Sequence, residues 1–315
     1  MNKSLSEHFT SVLADVVPRV AGLCDRDQNS RTYGCCDRTY WHYKLIDLSN
    51  ARYQEAGQLF ALAYVTEAPG NLFHGVPAAA QWARAAWNFW LKRRNKDGSV
   101  VELYPNERCF CATSFSTSAF LETVFLLGGA ADWQAELAAA EKTLHWLASH
   151  ANNAPANQMA ASTHALAAFA RLTGDARMRQ TAERRLAEFL ALEVDGAFPE
   201  YGGFDAGYQS ITLSTMRRID VHLGGDEALR QSMRRAAERI DAAIDAEGRM
   251  DSAANSRGTQ YLYPSALVGL KDEVLARLAR GLDANHVLRP AWMDDRFCIA
   301  MATDYLMAAR ELASC

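Results

Sequence analysis

The sequence predicts an all-α protein, an (α/α)5-6 toroid of helical hairpins, incomplete or closed, and three observations predict it. Apolar residues recur at spacings of three and four through most of the 315 residues. Period-two alternation is scarce, and Ser99 to Leu103 and Tyr261 to Tyr263 are extended candidates too short to found a sheet. Chemically rich loops alternate with plain turns at intervals of roughly 40 to 55 residues, a period that marks repeated units which must stack to bury their apolar faces.

Taken in order, helices are expected over Asn50 to Tyr64 and Asn71 to Trp90, with Ala78 to Trp90 the clearly amphipathic part, then over Trp133 to Leu147 and Gln158 to Leu172. Arg177 to Leu192, Ala228 to Ile244 and Glu273 to Leu282 follow, with the helix formers Ala, Leu, Glu and Arg filling the remaining positions. Rich loops lie near Asp97-Gly98, Asn152-Asn153, Asp195-Gly196, Glu247-Gly248 and Asn285-His286. Plain turns lie at Leu127-Gly128-Gly129, Thr173-Gly174-Asp175 and Leu223-Gly224-Gly225-Asp226, where glycine suits the left-handed position after a helix. In stacked hairpins every second connection lies on the same end, so the rich loops collect on one functional face. A single toroid domain over residues 1–315 is the expectation, and a two-domain helical array is the alternative.

Composition narrows the function. The chain is 49% apolar and 22% charged, with 33 basic and 37 acidic side chains giving a net charge of −4, so no basic stripe favours nucleic acid. No apolar run approaches the ~18 residues of a membrane span, and no export signal opens the sequence, so a cytoplasmic protein is expected. Seven cysteines, an odd number, read as reduced thiols. The spacings of Cys35-Cys36 and Cys109-x-Cys111 fall short of the zinc-site pattern, so neither a metal nor a cofactor is expected. The histidine pair motif of zincins, the nucleophile elbow, the P-loop and the dinucleotide fingerprint are all absent.

Five segments concentrate polar and aromatic side chains where a plain connection would use Gly, Ser or Pro. The first carries Asp37, Arg38, Tyr40, Trp41 and His42, and the second Glu102, Tyr104, Asn106 and Glu107. The third holds Asn152, Asn153, Asn157 and Gln158; the fourth, the densest, Glu200, Tyr201, Asp205, Tyr208 and Gln209. The fifth joins Arg257 and Tyr261 to Asp294, Asp295 and Arg296. Aromatic faces stack on pyranose rings, while carboxylates, amides and guanidinium forks bind hydroxyls and uronate carboxylates. The same side chains also cap helices and stitch loops, so each residue alone favours a structural role, whereas five loops on one face favour a carbohydrate site. The Gly202-Gly203 pair is expected to bend the backbone and aim Glu200, Asp205 and Tyr208. His145, His150 and His164 read as surface or core.

Asn157-Gln158 at the head of a small-residue helix, and Gly202-Gly203 followed by Tyr208-Gln209 about 50 residues later, resemble the toroid domain of alginate lyase and heparinase II/III type polysaccharide lyases. The resemblance covers about a third of the chain. It implies that Asn157 neutralises a substrate carboxylate and that Tyr208 acts as base or acid. Gln158 stands where many members carry His. Those lyases usually add a β-sandwich domain that contributes a catalytic histidine and closes the cleft, so a partner subunit completing the cleft enters the expectations. The chain also resembles proteins of bacterial polysaccharide gene clusters.

Four readings follow. In a lyase, Asn157 with Arg257 or Arg38 stabilises the uronate carboxylate while Tyr208 removes the α-proton. A uronate epimerase begins with the same step. A glycoside hydrolase would use two carboxylates from among Glu107, Glu200, Asp205 and Asp294. A non-catalytic glycan-binding toroid is the remaining alternative, and isoprenoid chemistry has only Asp294-Asp295 in its favour.

Overall fold

The computed structural model describes residues 4–314; Cys315 and the first three residues lie outside the described residues. The helices are α1 (Leu5–Ser11), α2 (Val16–Leu23), α3 (Arg38–Trp41), α4 (Ala56–Val65), α5 (Pro77–Arg93), α6 (Phe110–Leu126), α7 (Gln134–Ser149), α8 (Ala156–Thr173), α9 (Ala176–Leu190), α10 (Ala206–Leu223), α11 (Glu227–Asp241), α12 (Asp272–Asp283) and α13 (Asp295–Ser314). No strand forms among the described residues; isolated bridges such as Pro155 with Glu200 are the extended pairing present. The segment from Asn71 to Val76 is a turn, and α5 starts at Pro77, whose fixed φ and missing N–H suit a first helical position.

The all-α toroid is the fold observed. α4, α6, α8 and α10 pack side by side; the short 3-10 turn Pro264–Ala266 and then α13 complete an inner wall that returns to α4. Around it, α5 backs α4, α7 backs α6, α9 backs α8 and α11 backs α10. The ring closes where α1 packs on α13 and Ser6 Oγ donates to the Ala309 carbonyl at 2.9 Å. The fifth inner element is thus one short turn, which is why the repeat reads as five hairpins or six.

Inner and outer helices are built from different sequence. α11 and α12 carry one apolar stripe each, whereas α8 is buried continuously from Ala156 to Ala170. Small residues let the inner helices approach, and their hydroxyls find partners locally. Thr113, Ser116, Thr117 and Thr123 each donate to a carbonyl one turn back. Ser116 and Thr123 also accept the indole N–H groups of Trp90 and Trp87 from α5, at 2.9 and 2.8 Å. Two of the largest core side chains are therefore buried without an orphaned donor.

A second device recurs around the rim. A Cβ at Gly98, in the loop before α6, would stand 2.7 Å from the Lys142 carbonyl oxygen of α7; one at Gly196, before α10, would stand 2.8 Å from the Arg235 carbonyl oxygen of α11. Gly34 meets Ala85 of α5, and Gly248 meets Arg277 of α12, more closely still. In each case the loop ahead of an inner helix rests on the backbone of the next outer helix, where only glycine fits. The loop before α8 has Asn152-Asn153 instead, and Arg185 of α9 reaches the Leu147 and Ala148 carbonyls there, at 3.3 Å each.

Because each rich loop leads into an inner helix, these loops gather at the mouth formed by the inner-helix N-termini, as the alternation predicted. The plain turns, Gly174 in the left-handed conformation among them, lie at the opposite mouth. No helix among the described residues is long and apolar enough to cross a membrane. Cys24, Cys35, Cys36, Cys109, Cys111 and Cys298 are free thiols.

Candidate active site

A cleft of about 1130 Å³, its open mouth included, occupies the loop-rich end of the ring. Its first wall is the loop between α9 and α10. Glu200 N–H donates to the Gly203 carbonyl at 2.9 Å, and Tyr201 and Gly202 take φ of 46° and 98° at the tip, so the backbone folds back on itself as the glycine pair predicted. Ser256 pins this turn, donating from Oγ to the Glu200 carbonyl and from N to the Phe204 carbonyl, both at 2.9 Å.

The turn holds the Glu200 carboxylate 3% exposed, against Asn157 Nδ2 and 3.2 Å from Arg257 Nη1. Burial pushes the Glu200 carboxyl up to about 7; Arg257 and Asn157 pull the other way, and nearby Asp205 adds to the rise. The Arg257 guanidinium lies over the rings of Tyr201 and Tyr208, 5.1 and 5.3 Å from their centroids. Burial raises the Tyr208 phenol, and Arg257 opposes the rise.

Asp205 does not open onto the cleft. It is the N-cap of α10, accepting from Tyr208 N at 3.1 Å, from Arg257 N at 3.0 Å and from the Thr259 hydroxyl, and so it fixes both residues in place.

The facing wall comes from the 3-10 turn Ala51–Glu55 ahead of α4, and from α4, α6 and α13. Arg52 pairs with Glu55, reaches Cys111 Sγ at 3.4 Å and stacks 4.3 Å over Phe115. Cys111 is held below the usual thiol range, by its contact with Cys109 first and by Arg52 against the cost of burial. Arg296 pairs with Glu102 at 2.6 Å, and Cys109 donates to the same carboxylate at 3.1 Å. At the floor, buried Asp304 accepts from Ser214 Oγ at 2.8 Å and from Ser265 N at 2.9 Å; burial raises its carboxyl. Four guanidiniums, five aromatic rings and buried carboxylates thus line one cleft, and no histidine does among the described residues.

Of the residues singled out by sequence, Asn157, Gln158, Glu200, Tyr201, Tyr208, Arg257 and Arg296 line this cleft. The others lie elsewhere. Asp37 is fully buried and accepts from Asn50 N, Thr39 N and the Thr39 hydroxyl. Arg38 and Trp41 donate to the Gly22 and Leu23 carbonyls, Tyr40 rests beside Phe89 and Arg93, and His42 is exposed. Tyr104 and Asn106 are exposed, and Glu107 is spent on the backbone N–H groups of Glu102, Leu103 and Tyr104.

Gln209 bridges Phe198 N and the Gly196 carbonyl, and Tyr261 is buried. Asp294 caps α13, and Asp295 pairs with Arg19 at 2.7 Å. Arg52, Glu55, Gln58, Cys111, Ser214, Arg218, Tyr263 and Asp304 line the cleft without having been foreseen as site residues. The available signal was charge, Arg52 and Glu55 three apart at the head of a stretch otherwise apolar from Leu59 to Val65.

No protein-family model matches the chain, and no curated protein does. Solved structures do. A sugar epimerase from a ruminal bacterium is similar over 96% of this chain and 99% of its own, with a TM-score of 0.65 at 12% identity. The cellobiose 2-epimerase from Bacillus thermoamylovorans B4167 is similar over 88% of this chain and 86% of its own, with a TM-score of 0.59 at 13% identity. At these identities the likeness is one of fold, and it places the chain among the α/α toroids, the class that the lyase resemblance also implied.

Proposed function

We propose that this protein is a carbohydrate-active enzyme that moves a proton at a sugar carbon adjacent to a carbonyl or carboxylate, with Glu200 as the acid-base residue and epimerisation as the outcome. The observation that carries the reading is the Glu200 carboxyl, buried at the cleft wall and raised to about 7. A group poised near neutrality can take a proton from carbon and return one at working pH. Tyr208, across the Arg257 guanidinium from it, serves as the second proton carrier.

The remaining groups suit the intermediate. Asn157 Nδ2 and Arg257 donate to the Glu200 carboxylate, and as it takes up a proton these donors become available to the negative charge that develops on the sugar beside it. The guanidiniums along the cleft suit a carboxylate as well as hydroxyls, so a uronate belongs to the substrate class, alongside reducing oligosaccharides. Epimerisation and lysis share proton removal and differ afterwards, by return of the proton to the opposite face or by expulsion of the linked oxygen. Two toroids of this shape carry the names of sugar epimerases, which supports the first outcome. Hydrolysis has less support, because Glu107, Asp205 and Asp294 are all engaged by backbone donors.

The test is incubation in D2O with reducing mono- and disaccharides, cellobiose included, and with uronate oligosaccharides. Carbon-bound deuterium is followed by NMR together with ultraviolet absorbance and reducing ends. Deuterium uptake with a new epimer supports the proposal. Absorbance of an unsaturated uronate would replace it by lysis, and new reducing ends without deuterium by hydrolysis.

A further inference from the structure

The opposite mouth of the ring holds a polar cluster that the proposed reaction does not use. Glu122 lies in the last turn of α6, His164 in the middle of α8 and His222 one residue before the end of α10. His164 Nε2 stands 2.8 Å and His222 Nε2 2.9 Å from the same Glu122 oxygen, and the three donor atoms lie within 4.8 Å of one another. His164 is fully buried, and the side chains of His222 and Glu122 are 4% and 16% exposed. Glu122 and His222 face the cavity at this mouth, where Phe125 stacks on the His222 ring at 4.7 Å.

We propose that Glu122, His164 and His222 form a binding site for a divalent transition-metal ion of the Zn2+ class, with both Nε2 atoms and one carboxylate oxygen as ligands and water from the cavity in the open position. Two imidazoles and a carboxylate with one side open is a donor set that such ions favour over Mg2+ or Ca2+. All three ligands stand on packed inner helices, which limits how far each can wander. Ser118, one turn before Glu122, meets His164 Nδ1 at 2.7 Å, and its hydroxyl can accept the Nδ1 proton once Nε2 takes the metal.

Binding has a definite cost. Metal-ligand bonds of about 2.0–2.1 Å set donor atoms roughly 3.3 Å apart in a tetrahedron, so the carboxylate must withdraw by roughly half an ångström from each imidazole. His222 must also move its proton from Nε2 to Nδ1, which loses the 3.5 Å contact from Arg171 Nη1. Arg171 and Arg218 line the same cavity and repel a dication. The affinity expected is therefore micromolar.

The experiment uses untagged full-length protein, stripped with a chelator and titrated with Zn2+ by calorimetry and with Co2+ by visible absorption. Equimolar binding is expected, with the intense ligand-field bands of a four-coordinate Co2+ site. His222→Gln, at the cavity edge, should weaken binding by about a hundredfold, with its fold checked by circular dichroism in chelator. Arg171→Gln should tighten binding several-fold by freeing Nδ1. Absence of binding by either ion, or binding that survives His222→Gln, overturns the site. Binding lost instead in Cys109→Ser or Cys111→Ser assigns the ion to the thiols and also overturns it.

Discussion

The two mouths of the ring are made from the same inner helices yet assemble their polar groups in opposite ways. At the loop-rich mouth, Glu200, Tyr201 and Arg257 arrive from connections, and Asn157 and Tyr208 from the first helical turn. At the far mouth, Glu122, His164 and His222 arrive from within helices, and the plain turns contribute little. The difference teaches where variation is cheap. A loop can exchange side chains without disturbing the wall, whereas a helix-borne cluster is fixed by the packing of three helices at once.

The sharpest way to break this comparison is to remove the proton carrier of the loop-rich mouth. Glu200→Gln should lower deuterium exchange into the sugar by about 10²–10⁴-fold with the fold unchanged, since Gln retains the shape but not the proton. A loss of only a few-fold would move the chemistry away from this wall.

Next in size is a test of the rim. Gly98→Ala and Gly196→Ala should each cost about 2–4 kcal/mol in chemical denaturation, because a methyl group would strike an outer-helix carbonyl and the backbone is at positive φ. Gly174→Ala, also at positive φ but with open space around it, should cost only about 1 kcal/mol. Equal losses at Gly98 and Gly174 would remove the close approach as the reason.

A pH titration sharpens the comparison further. With Glu200 as base, kcat/KM should fall about tenfold per unit as pH drops below about 7. Stability moves the other way. A carboxyl raised in the fold from 4.5 to about 7 binds more protons folded than unfolded across that window, so its contribution to stability is present at low pH and lost as pH rises towards 7. Glu200→Gln should remove that slope, visible as melting temperatures that separate from those of the parent between about pH 4.5 and 7 and keep a constant offset above it. The smallest effect expected is from Arg257→Lys, about tenfold in kcat/KM, because an ammonium cannot lie flat over Tyr201 and Tyr208 while reaching Glu200.

Legibility in the sequence followed the same division. Outer helices such as α9, α11 and α12 show their apolar stripe because one face meets water. α6 and α10 are buried nearly all round and rich in Ser and Thr, so they carry no comparable stripe. Loop residues such as Glu200 and Tyr208 stood out by composition, but Asp37, Glu107 and Asp294 stood out equally. What separates them is whether backbone N–H groups already occupy the carboxylate, and that depends on local geometry. Arg52 and Arg296 face one cleft only because the ring closes. Glu122, His164 and His222 are 42 and 100 residues apart along the chain, measured from Glu122, which leaves no local spacing to recognise.

The glycines of the rim also govern curvature. Inner helices held close by small residues, and outer helices held at a distance set by Gly34, Gly98, Gly196 and Gly248, define the wedge angle of each hairpin, and the wedges must sum to one full turn for α1 to meet α13. A side chain at any of these positions widens the outer circumference without changing the inner one, so the error accumulates at the seam, like a washer sprung at its cut. The seam lies beside α13, which carries Arg296 and Asp304; a defect on the far rim would therefore be felt as a misaligned cleft before it was felt as an unfolded protein.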